Sequence, residues 1–346
     1  MEQVIKLVGA PQSPYSRKMR AALRYRRIPY QWIRQYSAAS EAQPQVKISH
    51  MIPVLWFSHE GENAKHDTAM LDSTFQLQKL EEIYPQRSLI SPDPVLNFFD
   101  ALIEDFADEW LTKAMFHYRW SQPQDIKKAG TLLPLETKWN RSDDLVLPFQ
   151  QEFSDLQVSR LGVVGSNKIT APLIEESFIN ILQALNKILT QQPFILGHRP
   201  GAADFALYGQ LVCLTQFDPT PSKLTLELAP RVTAWVEAME DLSGDEVNAE
   251  SWLKREGIQN IWGSLLNEIG RTYAPYLLAN EAALKENKEQ FSCMIDGRLW
   301  QQKPFLYQGK CLMWLRQKFD ALEDADKEQV LSIMQDSGCQ QLFVSL

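Results

Sequence analysis

The chain has 346 residues, 45% of them hydrophobic and 23% charged, with a formal net charge of −8. That length exceeds what one core usually holds, so two domains or a domain with an extension are expected. The acidic balance excludes nonspecific nucleic-acid binding, which needs a basic face, and no run of about 18 apolar residues exists to span a membrane.

The opening residues, Met1-Glu2-Gln3-Val4, lack a basic stretch followed by an apolar one, so no secretory signal is expected. Residues 4–8 alternate as a strand, and residues 14–27 follow helical spacing. The junction is Ser13-Pro14-Tyr15-Ser16-Arg17. Proline suits the first helical position, where a missing N–H is no loss, and Ser13 then falls at the N-cap. A helix N-terminus carries free N–H groups and partial positive charge, so it favours an anion. Residues 30–36, with Tyr30, Trp32 and Ile33, read as a second strand. Strand, helix, strand in that order predicts a parallel pair with a crossover helix.

Residues 52–57 read as a third strand with Pro53 at its start, where proline costs no ladder bond. A hairpin through residues 59–63 leads to a fourth strand near residues 65–68. Leu71, Phe75, Leu77, Leu80 and Ile83 then recur at near-helical spacing up to Tyr84-Pro85. The first 85 residues are therefore expected to form a βαβ–ββα unit, with a linker over residues 88–94.

From residue 95 to about 242 the patterns are helical: 95–120, 145–161, 174–190, 202–217 and 224–242. Residues 121–144 are polar, with scattered Pro and Gly, and read as a loop containing one helix. Within the first of these helices Asp105, Glu109, Lys113 and His117 follow one another at i+4 and are expected to form a solvated charged face. Trp110, Phe116, Tyr118 and Trp120 are the candidates for a core or for an acceptor pocket. The row holds a single histidine, so it predicts no metal site.

Past residue 246, helices are expected over 251–273, 277–287, 307–322 and 327–334. Residues 291–300 predict a hairpin with an Asp296-Gly297 turn. Cys213, Cys293, Cys311 and Cys339 are far apart, and no C-x-x-C exists, so neither a zinc knuckle nor a dithiol site is indicated. Sparse cysteine in this setting points to a reducing cytoplasm.

Four segments together resemble one family. Ser13-Pro14-Tyr15-Ser16-Arg17-Lys18-Met19-Arg20 resembles the active-site helix of serine-type glutathione transferases. Ile52-Pro53-Val54-Leu55 is similar to that family's cis-proline strand. Asp72-Ser73 with Tyr84-Pro85 matches its next helix. Gly197–Gly209, with Asp204, resembles the core helix of its second domain. The resemblance covers roughly residues 3–240. It implies a thioredoxin-like domain over residues 1–85 and an all-helical bundle domain over 95–245, in the α+β/α class. A mostly helical extension of unassigned role, with one hairpin, occupies 246–346.

What the resemblance implies for function is specific. Glutathione would be bound as co-substrate, its thiolate stabilised by Ser13 Oγ and the helix dipole. A free thiol has a pKa of about 8.5, and such a setting lowers it by about one or two units. Ile52, before a cis Pro53, would pair with the cysteinyl backbone like an added strand. Asp72 and Ser73 would hold the γ-glutamyl ammonium and carboxylate, and His50 or Lys47 the glycyl carboxylate. The thiol would pass to a small hydrophobic electrophile, and the protein would be a homodimer. Thiol–disulfide exchange is disfavoured, because that chemistry needs cysteine where Ser13 stands. Four departures favour an alternative, an interaction or regulatory module of the same fold with weak or no glutathione binding. Asp72 stands where Glu is commoner, the glycyl anchor is indistinct, the middle region is enlarged, and the extension has no family counterpart.

Overall fold

The computed structural model describes residues 5–41, 43, 51–57, 68–136, 138–248 and 251–344. The predicted hairpin through residues 59–63 lies outside the described residues.

Strand β1 (Ile5–Gly9) enters helix α1 (Pro14–Tyr25), which returns the chain to β2 (Tyr30–Arg34). After a short helix α2 (Ala38–Glu41) come β3 (Val54–Phe57), β4 (Thr68–Met70) and α3 (Ser73–Ile83). These four strands form one sheet in the order β2-β1-β3-β4. β1 runs parallel to β2 with Leu7 opposite Trp32, and antiparallel to β3 with Leu7 opposite Leu55. β3 and β4 are antiparallel, with Leu55 opposite Met70. Alternation along the strands divides their apolar side chains between two faces. Ile5, Leu7, Leu55 and Phe57 join the main core, while Val8, Ile33, Val54 and Trp56 cluster on the other face.

The second part begins with α4 (Pro94–Phe106), whose start is capped by Asp93 Oδ1 accepting the N–H groups of Val95 and Leu96. One wide π turn (Ala107–Leu111) joins α4 to α5 (Thr112–Ser121). Helix α6 (Pro123–Leu135) is the one helix expected within the polar segment 121–144. Pro123 at its first position supplies the start that the polar composition obscured. Then follow α7 (Asp143–Ser159), α8 (Ala171–Ile188) and α9 (Ala202–Val212), the last ending in a π turn (Cys213–Phe217). The single helix expected over 224–242 is two, α10 (Pro219–Leu228) and α11 (Pro230–Met239). Pro230 biases Ala229 away from the helical region, and Ala229 has φ −145°.

Helix α9 lies at the centre. Asp204 accepts the N–H groups of Gly201 and Ile195 at 3.0 and 2.6 Å. Glycine has no side chain with which to complete a reciprocal cap. Asp100, from α4, does so instead by accepting from Ala202 and Ala203 at 3.2 and 2.8 Å. Gly209 lets α9 meet α1 closely, since a Cβ there would stand 2.5 Å from the Pro14 carbonyl oxygen. Helix α1 is thereby fixed on the second part.

The last hundred residues are built into the same core. They form α12 (Ile258–Glu268), a π turn (Ile269–Tyr273) and α13 (Ala274–Lys285). A hairpin of β5 (Phe291–Ile295) and β6 (Arg298–Gln302) follows, then α14 (Leu306–Asp320) and α15 (Asp324–Met334). The hairpin turn places Asp296 and Gly297 at φ 49° and 70°, which an Asp-Gly pair tolerates. Trp262 packs edge-on against Phe99 and donates its indole N–H to the Ile195 carbonyl at 2.8 Å. Trp300 stacks near Trp110 at 5.3 Å and is fully buried. No described helix is long and apolar enough to cross a membrane.

Candidate functional site

A cavity of about 530 Å³ opens where the sheet end, the N-terminus of α3, the α4–α5 helix and α14 meet. Its first wall comes from the sheet domain. The Ile52–Pro53 peptide is cis, and both residues line the cavity just ahead of the first ladder pair, Val54 with Val8. Gln76 fixes this corner by donating to the carbonyls of Pro53 and Met70 at 2.9 and 2.7 Å. Asp72, Ser73 and Thr74 bring the N-terminus of α3 to the same wall. Asp72 has φ +73°, an uncommon conformation for a residue with a Cβ, and caps α3 by accepting the Thr74 N–H at 3.1 Å.

Of the residues singled out in the sequence, Ile52, Pro53, Asp72 and Ser73 are therefore brought together. Ser13 is not among the lining residues. Its Oγ accepts the Ser16 N–H at 3.3 Å and caps α1, which leaves the hydroxyl hydrogen to be donated. Tyr15, two residues on, does line the cavity and donates to the Asp108 carbonyl at 2.8 Å. The loop before Ser13 is held by Arg119, which donates to the Gln12 carbonyl at 3.2 Å and pairs with Asp218 at 3.0 Å. His50 and Lys47 lie outside the described residues.

The second wall overturns one expectation. Glu109 and Lys113 are buried, Asp105 is half-buried, and all three line the cavity rather than forming a solvated face. The physical reason is double. The π turn shifts the helical register by one residue just there, and the extension covers what would otherwise face water. Trp110, Tyr118 and Trp120, conversely, are core side chains. His117 is buried too, 2.8 Å from Ser166 and 3.1 Å from Glu175.

Burial dominates the electrostatics of this wall. It pushes Asp105 up to about 7, and Glu109 up to about 8 with help from the charge on Asp105. Asp108 is pushed up to about 6 by burial, which Lys18 opposes. Lys18 itself, wholly buried, bonds Glu104 at 2.7 Å and Asp108 at 2.6 Å, and these carboxylates outweigh its own desolvation. Among the described residues Lys113 meets no carboxylate; it donates to the Val164 carbonyl at 3.3 Å and to Gln302 Oε1 at 3.4 Å. Its ammonium stands 4.2 Å above the Tyr276 ring and 5.6 Å from that of Trp300, and burial lowers it to about 7.

The third wall comes from the extension. Helix α14 contributes Tyr307, Gln308, Cys311, Trp314 and Lys318, which recur along one stripe. Gln308 donates to Glu109 Oε2 at 2.9 Å, and Tyr307 donates its hydroxyl to Asp72 Oδ2. Trp314 meets Phe75 of α3 edge-on at 4.9 Å. The signal was present as a helical stripe of large side chains, but nothing in the sequence said what that stripe faced.

Comparison with known proteins follows this geometry. Residues 7–88 match the glutathione S-transferase N-terminal domain, and residues 164–238 match its C-terminal domain. Residues 246–346 lie outside both. None of the curated proteins matches the chain. Among solved structures, a glutathione S-transferase from Rhodospirillum rubrum F11 is 16% identical, over 74% of this chain and 98% of its own, with a TM-score of 0.42. One from Methylobacterium radiotolerans, in complex with glutathione sulfonate, is 17% identical over 72% and 98%, with a TM-score of 0.40. Rice GST1 in complex with glutathione is 15% identical over 77% and 97%, with a TM-score of 0.44.

Proposed function

We propose that this chain, which carries the N-terminal and C-terminal domains of the glutathione S-transferase family, binds glutathione and transfers its thiol to a small electrophile. The observation that carries the proposal is a convergence. Ile52 and Pro53 at the sheet end and Asp72 and Ser73 at the start of α3 line one cavity beside α1. The peptide's cysteinyl backbone would pair with Ile52, and its γ-glutamyl carboxylate would lie on the free N–H groups of α3. The resemblance assigns the ammonium to Asp72, whose two oxygens already accept from the Thr74 N–H and the Tyr307 hydroxyl. The thiol would then lie toward the N-terminus of α1, where Ser13 Oγ–H donates to the thiolate and the helix dipole adds to that stabilisation. The electrophile would occupy the end of the cavity walled by Thr112, Val163 and α14. The proposal includes residues 1–85 and 95–245 as the two working domains, 246–346 as an extension, and a homodimer as the assembly.

Turnover of chlorodinitrobenzene with glutathione tests it. Ser13→Ala should lower kcat/KM on the order of 10-fold to 100-fold, as loss of one charge-stabilising donor does. Unchanged turnover would remove Ser13 from the mechanism.

A second reading has its own observations. Ser13 is set back from the cavity lining, and both carboxylate oxygens of Asp72 are engaged within the chain. They favour a module of this fold that binds glutathione weakly or not at all. Calorimetry decides: a dissociation constant in the micromolar range supports the transferase, and no heat at millimolar glutathione supports the module.

A further inference from the structure

Asp72 is the N-cap carboxylate of α3, with Glu104 beside it on the Thr74 hydroxyl at 3.0 Å, and the extension reaches Asp72. Its Oδ1 accepts the Thr74 N–H, and its Oδ2 accepts the Tyr307 hydroxyl from α14. The phenol is a dependable donor. Burial, and after it the charge on Asp72, raise its pKa, so it keeps its proton at any physiological pH. Tyr307 is also held in place. Its ring lies 5.9 Å from that of Trp314, which packs edge-on against Phe75 on α3. The residue that adds the second hydrogen bond to Asp72 is therefore 235 positions away in the chain and packed on Trp314, which in turn meets Phe75.

We infer that Tyr307 is a specificity-determining residue, which withdraws Asp72 from a ligand's ammonium group. The inference rests on the reading of this cavity as a glutathione site. A peptide's amine would have to share Asp72 with the phenol and the Thr74 N–H, which already draw on the carboxylate's charge. Its net gain is then small. The cavity accordingly takes a cysteinyl thiol peptide whether or not its amino end is free, and the class of co-substrate extends to amine-blocked and amine-free γ-glutamyl-type thiols. The recognition that remains is the cysteinyl backbone at Ile52 and the carboxylate at the N-terminus of α3.

The test is a two-by-two calorimetric comparison on the full chain. The ligands are glutathione and glutaryl-cysteinylglycine, the same peptide with hydrogen in place of the α-amino group. The proteins are the natural chain and Tyr307→Phe, which keeps the ring and removes the hydroxyl. The natural chain should bind both ligands within about threefold. Tyr307→Phe should bind glutathione about tenfold or more tightly than the natural chain does, with the amine-free peptide unchanged. Equal discrimination in the two proteins, or weaker glutathione binding by Tyr307→Phe, overturns the inference while the glutathione site stands. Absence of binding by either ligand to either protein overturns the functional reading, and the inference with it. Should Tyr307→Phe fail to fold, Asp72→Asn serves. A loss of glutathione affinity below about threefold is expected, because Asp72 is already occupied, and a loss of tenfold or more overturns the inference.

Discussion

At the scale of single residues, the chain's unusual property is how many ionisable groups it buries around one cavity. Glu109 shows the consequence most directly. Its folded pKa is pushed up to about 8 from an ordinary value near 4.5, so the folded state holds a proton that the unfolded state has released. Stability from this group is full below about pH 4.5 and is lost as pH rises toward 8. Asp105, at about 7, acts in the same direction, whereas Lys113, lowered to about 7, acts in the opposite direction only above that pH. Between pH 5 and 7 the carboxylates therefore dominate, and the thermal midpoint should fall with rising pH. Glu109→Gln removes one such proton and keeps a partner for Gln308. It should flatten the slope by up to about 1.4 kcal/mol per pH unit, a few degrees in Tm. An unchanged slope in that variant would show that Glu109 ionises normally. None of this was legible from spacing alone. An i+4 row of charges reads as a solvated face until something covers it.

At the scale of elements, local chemistry was a reliable guide to where helices begin. Ser13-Pro14 starts α1, Asp72 starts α3 and the Asp-Gly pair turns the β5–β6 hairpin, each because a cap or a permitted φ is a property of nearby residues. Two features escaped because their cause is distant. The start of α9 has glycine where a capping side chain is expected, and Asp100 of α4 supplies the acceptor instead. Asp100→Ala should leave the Ala202 and Ala203 N–H groups buried without partners. The expected cost is about 1–3 kcal/mol in a denaturant titration, with Asp100→Asn recovering only part of it, because its single amide oxygen replaces one of the two acceptors. Equal stability of Asp100→Ala and the natural chain would assign the cap elsewhere. The π turn at Ala107–Leu111 is the other feature. It rotates Glu109 and Lys113 relative to α4, and no pattern in residues 104–120 announces it.

At the scale of the whole molecule, the last hundred residues are structural before they are anything else. Trp262, Tyr273, Tyr276 and Trp300 are fully buried, and Tyr273 donates to Asp105 at 2.6 Å. Removing residues 246–346 would expose Phe99, Trp110 and the Asp105–Glu109 cluster together. The shortened chain should lose cooperative thermal unfolding and bind a hydrophobic dye in its native buffer, as loosely packed states do. Cooperative unfolding at the full-length midpoint would instead make the extension an independent accessory.

The division between sequence and tertiary structure follows the range of the forces involved. Strand alternation, helix starts, turn residues and the four family-like segments depend on neighbours a few positions apart. From them the βαβ–ββα order, the helical second part and the grouping of Ile52, Pro53, Asp72 and Ser73 could be read. The cavity's other walls depend on side chains hundreds of positions apart in the chain. Folding alone decided that α14 would lie across α3, that Tyr307 would meet Asp72, and that a row of charges would be deprived of water. Desolvation and long-range hydrogen bonding are properties of what packs against a residue, and its sequence neighbours do not specify that.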